Sequence, residues 1–368
     1  MKPKIPHIHR RDFLKKGAGA AAALATTGAL QAKPSKTGRI PLGLDAHSVR
    51  GMKWKAPQLI EYAAEIKADA LLLNTPNYYE SLDDSYLKKV RKLADANDIR
   101  IYTGAGSIAE RSVTYNADKQ ESPEKTLELG IRLATTLGSP VVNFRIGMIS
   151  DRYMDGGIEA HMEDVIKVLR WGRSRAQDAN IKFAFENHAG DLRSEEILTI
   201  IKEAGPDICG SMLDPGNGLW ALEDPMKQIQ ILGPHVLCTS IRDYMVWESE
   251  GGATFQWTRI GNGLMDPPAF ANHLATLAPG VPFFVETISN SARPLPFLTD
   301  EHMAGFPKLK AEGLLDFLRL LRRGKPLELA MPPAGMDQRE FDQKHQKEEL
   351  LKSFKYLRKH CNCGIKKA

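Results

Sequence analysis

Lys182-Phe183-Ala184-Phe185-Glu186, followed at once by Asn187-His188, and Ile208-Cys209-Gly210-Ser211-Met212-Leu213, followed by Asp214-Pro215-Gly216-Asn217, decide the fold. Each is a short apolar run that breaks abruptly into acids, amides and imidazole. A short run with little alternation suits a strand buried on both faces. Between the two lies an amphipathic stretch over Ser194–Glu203. Strand, helix and strand, with polar residues gathered where a strand ends, is the repeating unit of a parallel α/β protein.

The same unit recurs outward in both directions. Further strands are expected at Ile40–Leu44, Ala70–Leu73, Ile99–Thr103, Val141–Arg145, Val236–Ile241 and Pro282–Glu286. Helical patterns lie between them at Pro57–Lys67, Asp84–Ala96, Pro123–Leu137, Ile158–Gln177, Pro225–Leu232 and Pro267–Leu277, with an eighth at Leu309–Leu321. Strict alternation of this kind predicts a (β/α)8 TIM barrel over residues 33–325. A doubly wound open sheet would want a glycine-rich phosphate turn after its first strand, which Leu42-Gly43-Leu44-Asp45 does not supply. From about Pro326 to the end, a Pro-containing linker leads to a charged amphipathic helix, Gln338–His360, expected to pack across the barrel's outside.

The first 32 residues read as an export signal. Arg10-Arg11-Asp12-Phe13-Leu14-Lys15 is a twin-arginine pattern. The weakly apolar stretch Gly17–Leu30 is too short for a permanent membrane anchor. Cleavage after Ala29 or Ala32 would satisfy the small-residue preference. The expected partner is the Tat machinery, and the expected location periplasmic or extracellular. Of the chain's 50 Lys/Arg and 45 Asp/Glu, this segment holds six and one, so the remainder carries 44 of each and is formally neutral. The basic balance therefore belongs to the signal, and nothing is left of an electrostatic case for nucleic acid. Hydrophobic content of 42% and charged content of 26% allow a large core. Cys209 and Cys238 sit in strand-like runs as buried thiols; Cys361 and Cys363 read either as a chelating or oxidisable pair or as exposed thiols on a frayed tail.

In a (β/α)8 barrel the active site lies where strands end and βα loops begin. There the sequence has Asn143-Phe144-Arg145, Glu186-Asn187-His188, Asp214 to Asn217, Ser240-Ile241-Arg242-Asp243 and Glu286-Thr287, while the first loop carries Asp45, His47, Ser48 and Arg50. Residues two apart share a strand face, so Glu186 and His188 go together, as do Ser240 and Arg242. Spacing leaves two readings of Glu186, Asp214 and Glu286 open: a shared divalent cation, or separate pairing with Arg145, Arg242 or a lysine. Trp220, Trp247 and Trp257 follow strand ends or lie in the long seventh loop, as sugar-stacking faces or as structural plugs.

The runs Phe-Glu-Asn-His from 185, Leu-Asp-Pro-Gly-Asn from 213, Ser-Ile-Arg-Asp from 240, Ile-Gly-Asn-Gly from 260 and Val-Glu-Thr from 285 resemble the xylose-isomerase-like superfamily of sugar isomerases and epimerases, to which endonuclease IV is related. The resemblance covers about residues 38–325. It implies a metal site on Glu186, Asp214 and Glu286, with Mn²⁺ or Mg²⁺ suiting a carboxylate set better than Zn²⁺. It implies Glu186 and Glu286 as a proton-transfer pair on a small carbohydrate, with His47, Arg145, His188, Asn217 and Arg242 binding the substrate. The chain departs from the family at Ser240, where a metal-binding His is usual, at Arg242 in place of Lys, at Asn217 in place of a His, and at Asn262 in place of a Glu. Three alternatives stay open: a keto-glycoside lyase of the same fold, a sugar-binding barrel that has lost its metal, and a phosphodiesterase like endonuclease IV. The last lacks its zinc-binding histidines. Oligomeric state is also open, a homo-oligomer included.

Overall fold

A computed structural model describes residues 38–118 and 120–366; the twin-arginine segment lies outside the described residues. The barrel strands are β1 (Leu42–Asp45), β2 (Ala70–Leu73), β3 (Arg100–Ser107), β4 (Val141–Arg145), β5 (Lys182–Glu186), β6 (Cys209–Leu213), β7 (Val236–Thr239) and β10 (Phe283–Val285). They form one parallel sheet in the order β10-β1-β2-β3-β4-β5-β6-β7. Closure between β7 and β10 is made by a single bridge, Ile241 to Val285, and by Thr239 Oγ1, which donates to Pro282 O (2.8 Å) and accepts from Phe284 N (3.0 Å). The expected (β/α)8 barrel is therefore present.

Strand alternation sorts the side chains. Ala70, Leu72, Tyr102, Val141, Ala184, Met212, Cys238 and Phe284 form a cluster of their own, separate from the larger one beneath the helices. These are the residues pointing into the barrel, which is a filled core rather than a pore. Gly43 has its place here because a Cβ would come within 2.2 Å of the Phe284 ring.

The helices around the sheet are α1 (Ala56–Glu65), α2 (Asp84–Ala96), α3 (Pro123–Leu137), α4 (Gly157–Trp171), α5 (Arg173–Asp178), α6 (Ser194–Ala204), α7 (Pro225–Leu232) and α8 (Pro267–Leu277), followed by α9 (Asp300–Ala304), α10 (Ala311–Leu321) and α11 (Gln338–His360). Their ends follow ordinary cap chemistry. In α3, for example, the Ser122 side chain accepts from Lys125 N, Pro123 takes the first turn, and Gly138 ends the helix at φ 74°.

Two features go beyond the sequence expectation. The long seventh loop is an ordered antiparallel hairpin, β8 (Asp243–Ser249) and β9 (Gly252–Thr258), extended to three strands by β11 (Ala292–Leu295) from the loop after β10. And α11, which packs across the barrel's outside as expected, also contributes to the main apolar cluster. It packs on β10 and on the turn after β1, and buries Leu350, Phe354 and Leu357 in the main cluster, whereas α10 packs against β8. The tail continues past the helix: Ile40 N donates to Asn362 O (3.1 Å), and Asp69 receives Leu42 N, Ile365 N and Lys366 N at 2.7–3.0 Å. Cys361 and Cys363 are consequently buried free thiols, which corrects both the exposed-tail and the chelating reading. No helix among the described residues is long and apolar enough to cross a membrane.

Candidate active site

One position above the barrel's apolar interior, the inward-facing residues turn polar: Asp45 on β1, Asn143 on β4, Glu186 on β5, and Asp214, Ser240 and Glu286 just after β6, β7 and β10. All six are buried. All but Asn143 are linked by side chains into an arc around the mouth. Asn217 Nδ2 donates to Asp214 Oδ2 (2.7 Å) and, at 3.4 Å, to Glu186 Oε1. Arg242 Nη2 donates to both Asp214 Oδ2 and Glu286 Oε2. Ser240 Oγ then lies 2.8 Å from Glu286 Oε2 and 3.1 Å from Asp45 Oδ2.

Local sequence explains the arrangement. The Asn187 side chain donates to Asp214 O (2.6 Å) and accepts from Asp214 N (2.9 Å), stapling the ends of β5 and β6. In Asp214-Pro215-Gly216-Asn217 the glycine is required, because a Cβ would stand 2.4 Å from Arg242 Cγ. The arginine's stem passes over bare backbone to reach the centre of the arc. Its guanidinium lies 4.3 Å from the Trp257 ring centroid, and Trp257 Nε1 donates to Gly216 O (2.9 Å). Asp243 accepts from the backbone N–H groups of Tyr244, Gly261, Gly263 and Met265 at 2.7–3.0 Å, so the Ile-Gly-Asn-Gly run is a structural loop and Asn262 is exposed.

The electrostatics distinguish the four acids. Burial raises Glu186 well above its ordinary value, and the neighbouring Asp214 adds to this. Burial likewise raises Asp45, helped by Glu286, and raises Asp214 against the pull of Arg242. For Glu286, burial is overcome by Arg242 and then His47, and the carboxyl is held below its ordinary value. Glu286 is thus the acid whose ionised form is most favoured, and Arg242 is the counterion it shares with Asp214. Ser240 agrees with this pattern: its hydroxyl donates at the shorter distance to Glu286 Oε2 (2.8 Å) and at the longer one to Asp45 Oδ2 (3.1 Å).

The histidines stand beside this arc and are held neutral by burial, His47 down to about 4 and His188 down to about 3. His188 Nδ1 faces the Gly147 carbonyl, which can only accept; that fixes the Nδ1–H tautomer and leaves Nε2 as an acceptor. The loop carrying His188 is fixed by Asp191, which accepts from Gly147 N (2.9 Å), His188 N (2.7 Å) and Leu192 N (2.6 Å). Arg145 ends β4 without a hydrogen bond or ion pair, its Nε buried. Trp257 and Trp220 are packing residues, the latter edge-on to Phe255, rather than open sugar-stacking faces.

Glu186, Asp214, Asn217, Ser240, Arg242 and Glu286 lie in the arc and His47, Arg145 and His188 beside it, whereas Asn262 is exposed on its loop. Their roles shift: Asn217 positions acids, and Arg242 lies at the centre. Asp45 and Asn143, both named at or just after strand ends from the sequence, receive no role there, though both take inward positions. The implied divalent-cation set does not fit this arrangement. Asp214 and Glu286 turn their oxygens to a guanidinium, Ser240 replaces an imidazole, and among the described residues no three His, Cys, Asp or Glu side chains converge to hold a metal ion.

Comparison with known proteins agrees with this architecture. The chain is 23% identical to the uncharacterised protein YihM of Escherichia coli K12 over 222 residues, spanning 59% of this chain and 65% of that protein's length. It is 26% identical to the 3-oxo-isoapionate decarboxylase of Pectobacterium atrosepticum over 210 residues, 56% of this chain and 68% of that one. The D-psicose 3-epimerase of Clostridium cellulolyticum H10, solved with D-tagatose, superposes with a TM-score of 0.55 at 14% identity, covering 88% of this chain and all of the other. Residues 60–312 match the family described as the xylose isomerase-like TIM barrel, and the chain belongs to that family.

Proposed function

We propose that this protein is an enzyme that moves a proton on a carbohydrate carbon next to a carbonyl, in the manner of an isomerase or epimerase. The observation that carries this is the contrast between Glu186 and Glu286. They stand in one mouth, the first pushed toward its neutral form with a single long hydrogen bond, the second ionised and locked by Arg242 and Ser240. Environments that push two carboxyls apart are the usual basis for dividing acid and base work. A carboxyl with a raised pKa is also the better base once ionised.

Glu186 is accordingly the group that takes and returns the proton. Arg242 supplies fixed positive charge near a developing enediolate, with Glu286 holding the guanidinium in place. His188 Nε2, a neutral acceptor, serves as the partner base or positions a hydroxyl. The family, and the sugar epimerase among its structural neighbours, support a small carbohydrate as substrate. The decarboxylase relative supports a related outcome of the same chemistry, since loss of CO₂ beside a carbonyl also passes through an enolate.

The test is solvent-deuterium incorporation beside the carbonyl of D-psicose, D-tagatose and a panel of keto-sugars and keto-acids. Wild-type protein should exchange at least one of them, and Glu186→Gln should lower the rate roughly 100-fold or more. No exchange by the wild type, or unchanged exchange by Glu186→Gln, overturns the proposal.

A further inference from the structure

Glu286 follows the last residue of β10, and the backbone beside it is held from both neighbouring strands. On the β7 side Glu286 N donates to Ile241 O (3.0 Å). On the β1 side the hold is made by one buried side chain. Ser48, 0% exposed, lies in the turn Ala46–Met52 that follows β1. Its Oγ donates to Val285 O (2.8 Å) and accepts from Thr287 N (2.8 Å), so it grips the residues before and after Glu286. A hydroxyl can do both at once, having one proton to give and lone pairs to receive. Arg50, in the same turn, donates to Thr287 O (3.5 Å). At the turn's other end His47 N donates to Asp45 Oδ1 (2.9 Å). One turn therefore braces both acids that Ser240 joins, Asp45 and Glu286.

The turn is itself clamped from outside by α11. Gln346 Oε1 accepts from Gly51 N (2.8 Å), and Gln343 Nε2 donates to Gly51 O (3.0 Å). Residues three apart share a helix face, so two glutamines together take both backbone polar atoms of one turn residue. Gln346 is buried, which leaves water little access to replace its bond. Between the two, His345 Nε2 lies 3.1 Å from Ser289 Oγ, so the helix also reaches the loop that Glu286 begins. Farther along, Leu350, Phe354 and Leu357 anchor α11 in the main apolar cluster. Both the turn and α11 lie outside residues 60–312, so the family match assigns neither a role.

We infer that Ser48, Gln343 and Gln346 are positioning residues for Glu286: α11 fixes the turn, the turn fixes the strand end, and the strand end aims the carboxylate at Arg242. The kinetic consequence rests on the proton-transfer reading of this mouth. A displacement of about 1 Å at a reacting centre can cost on the order of 100-fold in rate, so bonds this far out can govern turnover without touching substrate.

Two measurements on the full chain test it. Amide hydrogen exchange by mass spectrometry needs no substrate and reads the fragment holding Thr287. Ser48→Ala removes the acceptor of the Thr287 amide, and Gln346→Met cuts the clamp without touching Thr287; each should speed exchange there roughly tenfold while β4 and β5 exchange as in the wild type. Gln346→Glu keeps an acceptor for Gly51 N and should stay within about threefold of the wild type. Solvent-deuterium incorporation into the sugar that the wild type labels is the second reading. Gln346→Met should lower kcat roughly tenfold with KM changed less than about twofold, and Gln346→Glu should recover most of the loss. Unchanged exchange at Thr287 in Gln346→Met, or exchange raised equally throughout the barrel, overturns the inference, as does an unchanged kcat when Thr287 is freed. A wild type that labels no sugar overturns the proton-transfer reading alone, and the amide measurement then decides the positioning.

Discussion

Arg242→Met removes the single cation at the centre of the arc and keeps most of the side-chain volume. Arg242 is 2% exposed, Asp214 0% and Glu286 5%, so solvent cannot replace the lost charge. Two buried carboxyls would then face each other without a counterion, a change that typically costs about 3–5 kcal/mol. For a chain of this length that corresponds to a fall in Tm of about 4–7 °C by calorimetry. The pH dependence is the sharper signature. In the wild type, Glu286 is held below its ordinary value, so its contribution is present above the unfolded pKa and is lost as pH falls through the folded one, while Asp214, raised to about 7, contributes in acid and loses that contribution as pH rises through it. In the variant, both carboxyls rise above their unfolded values, and stability present in acid is lost as pH rises through the folded values. Both effects act in the same direction: the gap between variant and wild type should be wide near pH 8 and narrow near pH 5. A Tm within about 1 °C of the wild type at every pH would refute the ion-paired arrangement.

Two further outcomes follow from other parts of the molecule. Cys361 and Cys363 should resist a thiol reagent in the native protein and react after denaturation, because both are buried and burial pushes the Cys361 thiol up to about 12; rapid native labelling of either would show that the tail does not hold the position described. Export through the Tat system is a proposal from Arg10-Arg11, and changing both to Lys should leave the precursor in the cytoplasm; normal delivery of that variant ends the proposal.

Much of the barrel was legible because its strands are short apolar runs and its polar residues sit on inward positions at their ends. Glu186, Asp214 and Glu286 could be placed at one mouth because each closes a strand of a (β/α)8 barrel. What strand position cannot give is where a long side chain ends. Arg242 shares a face with Ser240, but its reach to Asp214 depends on the missing Cβ at Gly216, a tertiary fact. The hairpin after β7 was hidden because Asp243–Ser249 and Gly252–Thr258 are buried along much of both faces, which blurs the alternation of a two-sided strand. The role of α11 was hidden for the opposite reason. Its sequence is largely charged, and only a narrow stripe through Leu350, Phe354 and Leu357 joins the core. Asp45 is named from the sequence without a role, because an acid beside a first loop has no partner there; Ser240 becomes that partner only when β1, β7 and β10 close the barrel.

We propose that a guanidinium, rather than a divalent cation, supplies the positive charge at this mouth. This is tested most directly by deuterium exchange on the responsive keto-substrate, using protein treated with chelator until elemental analysis finds no bound metal. The account predicts that metal-free protein exchanges at the untreated rate, gains nothing from added Mn²⁺ or Mg²⁺, and loses exchange in Arg242→Met. Loss of exchange on chelation, restored by one equivalent of Mn²⁺ or Mg²⁺, would contradict it.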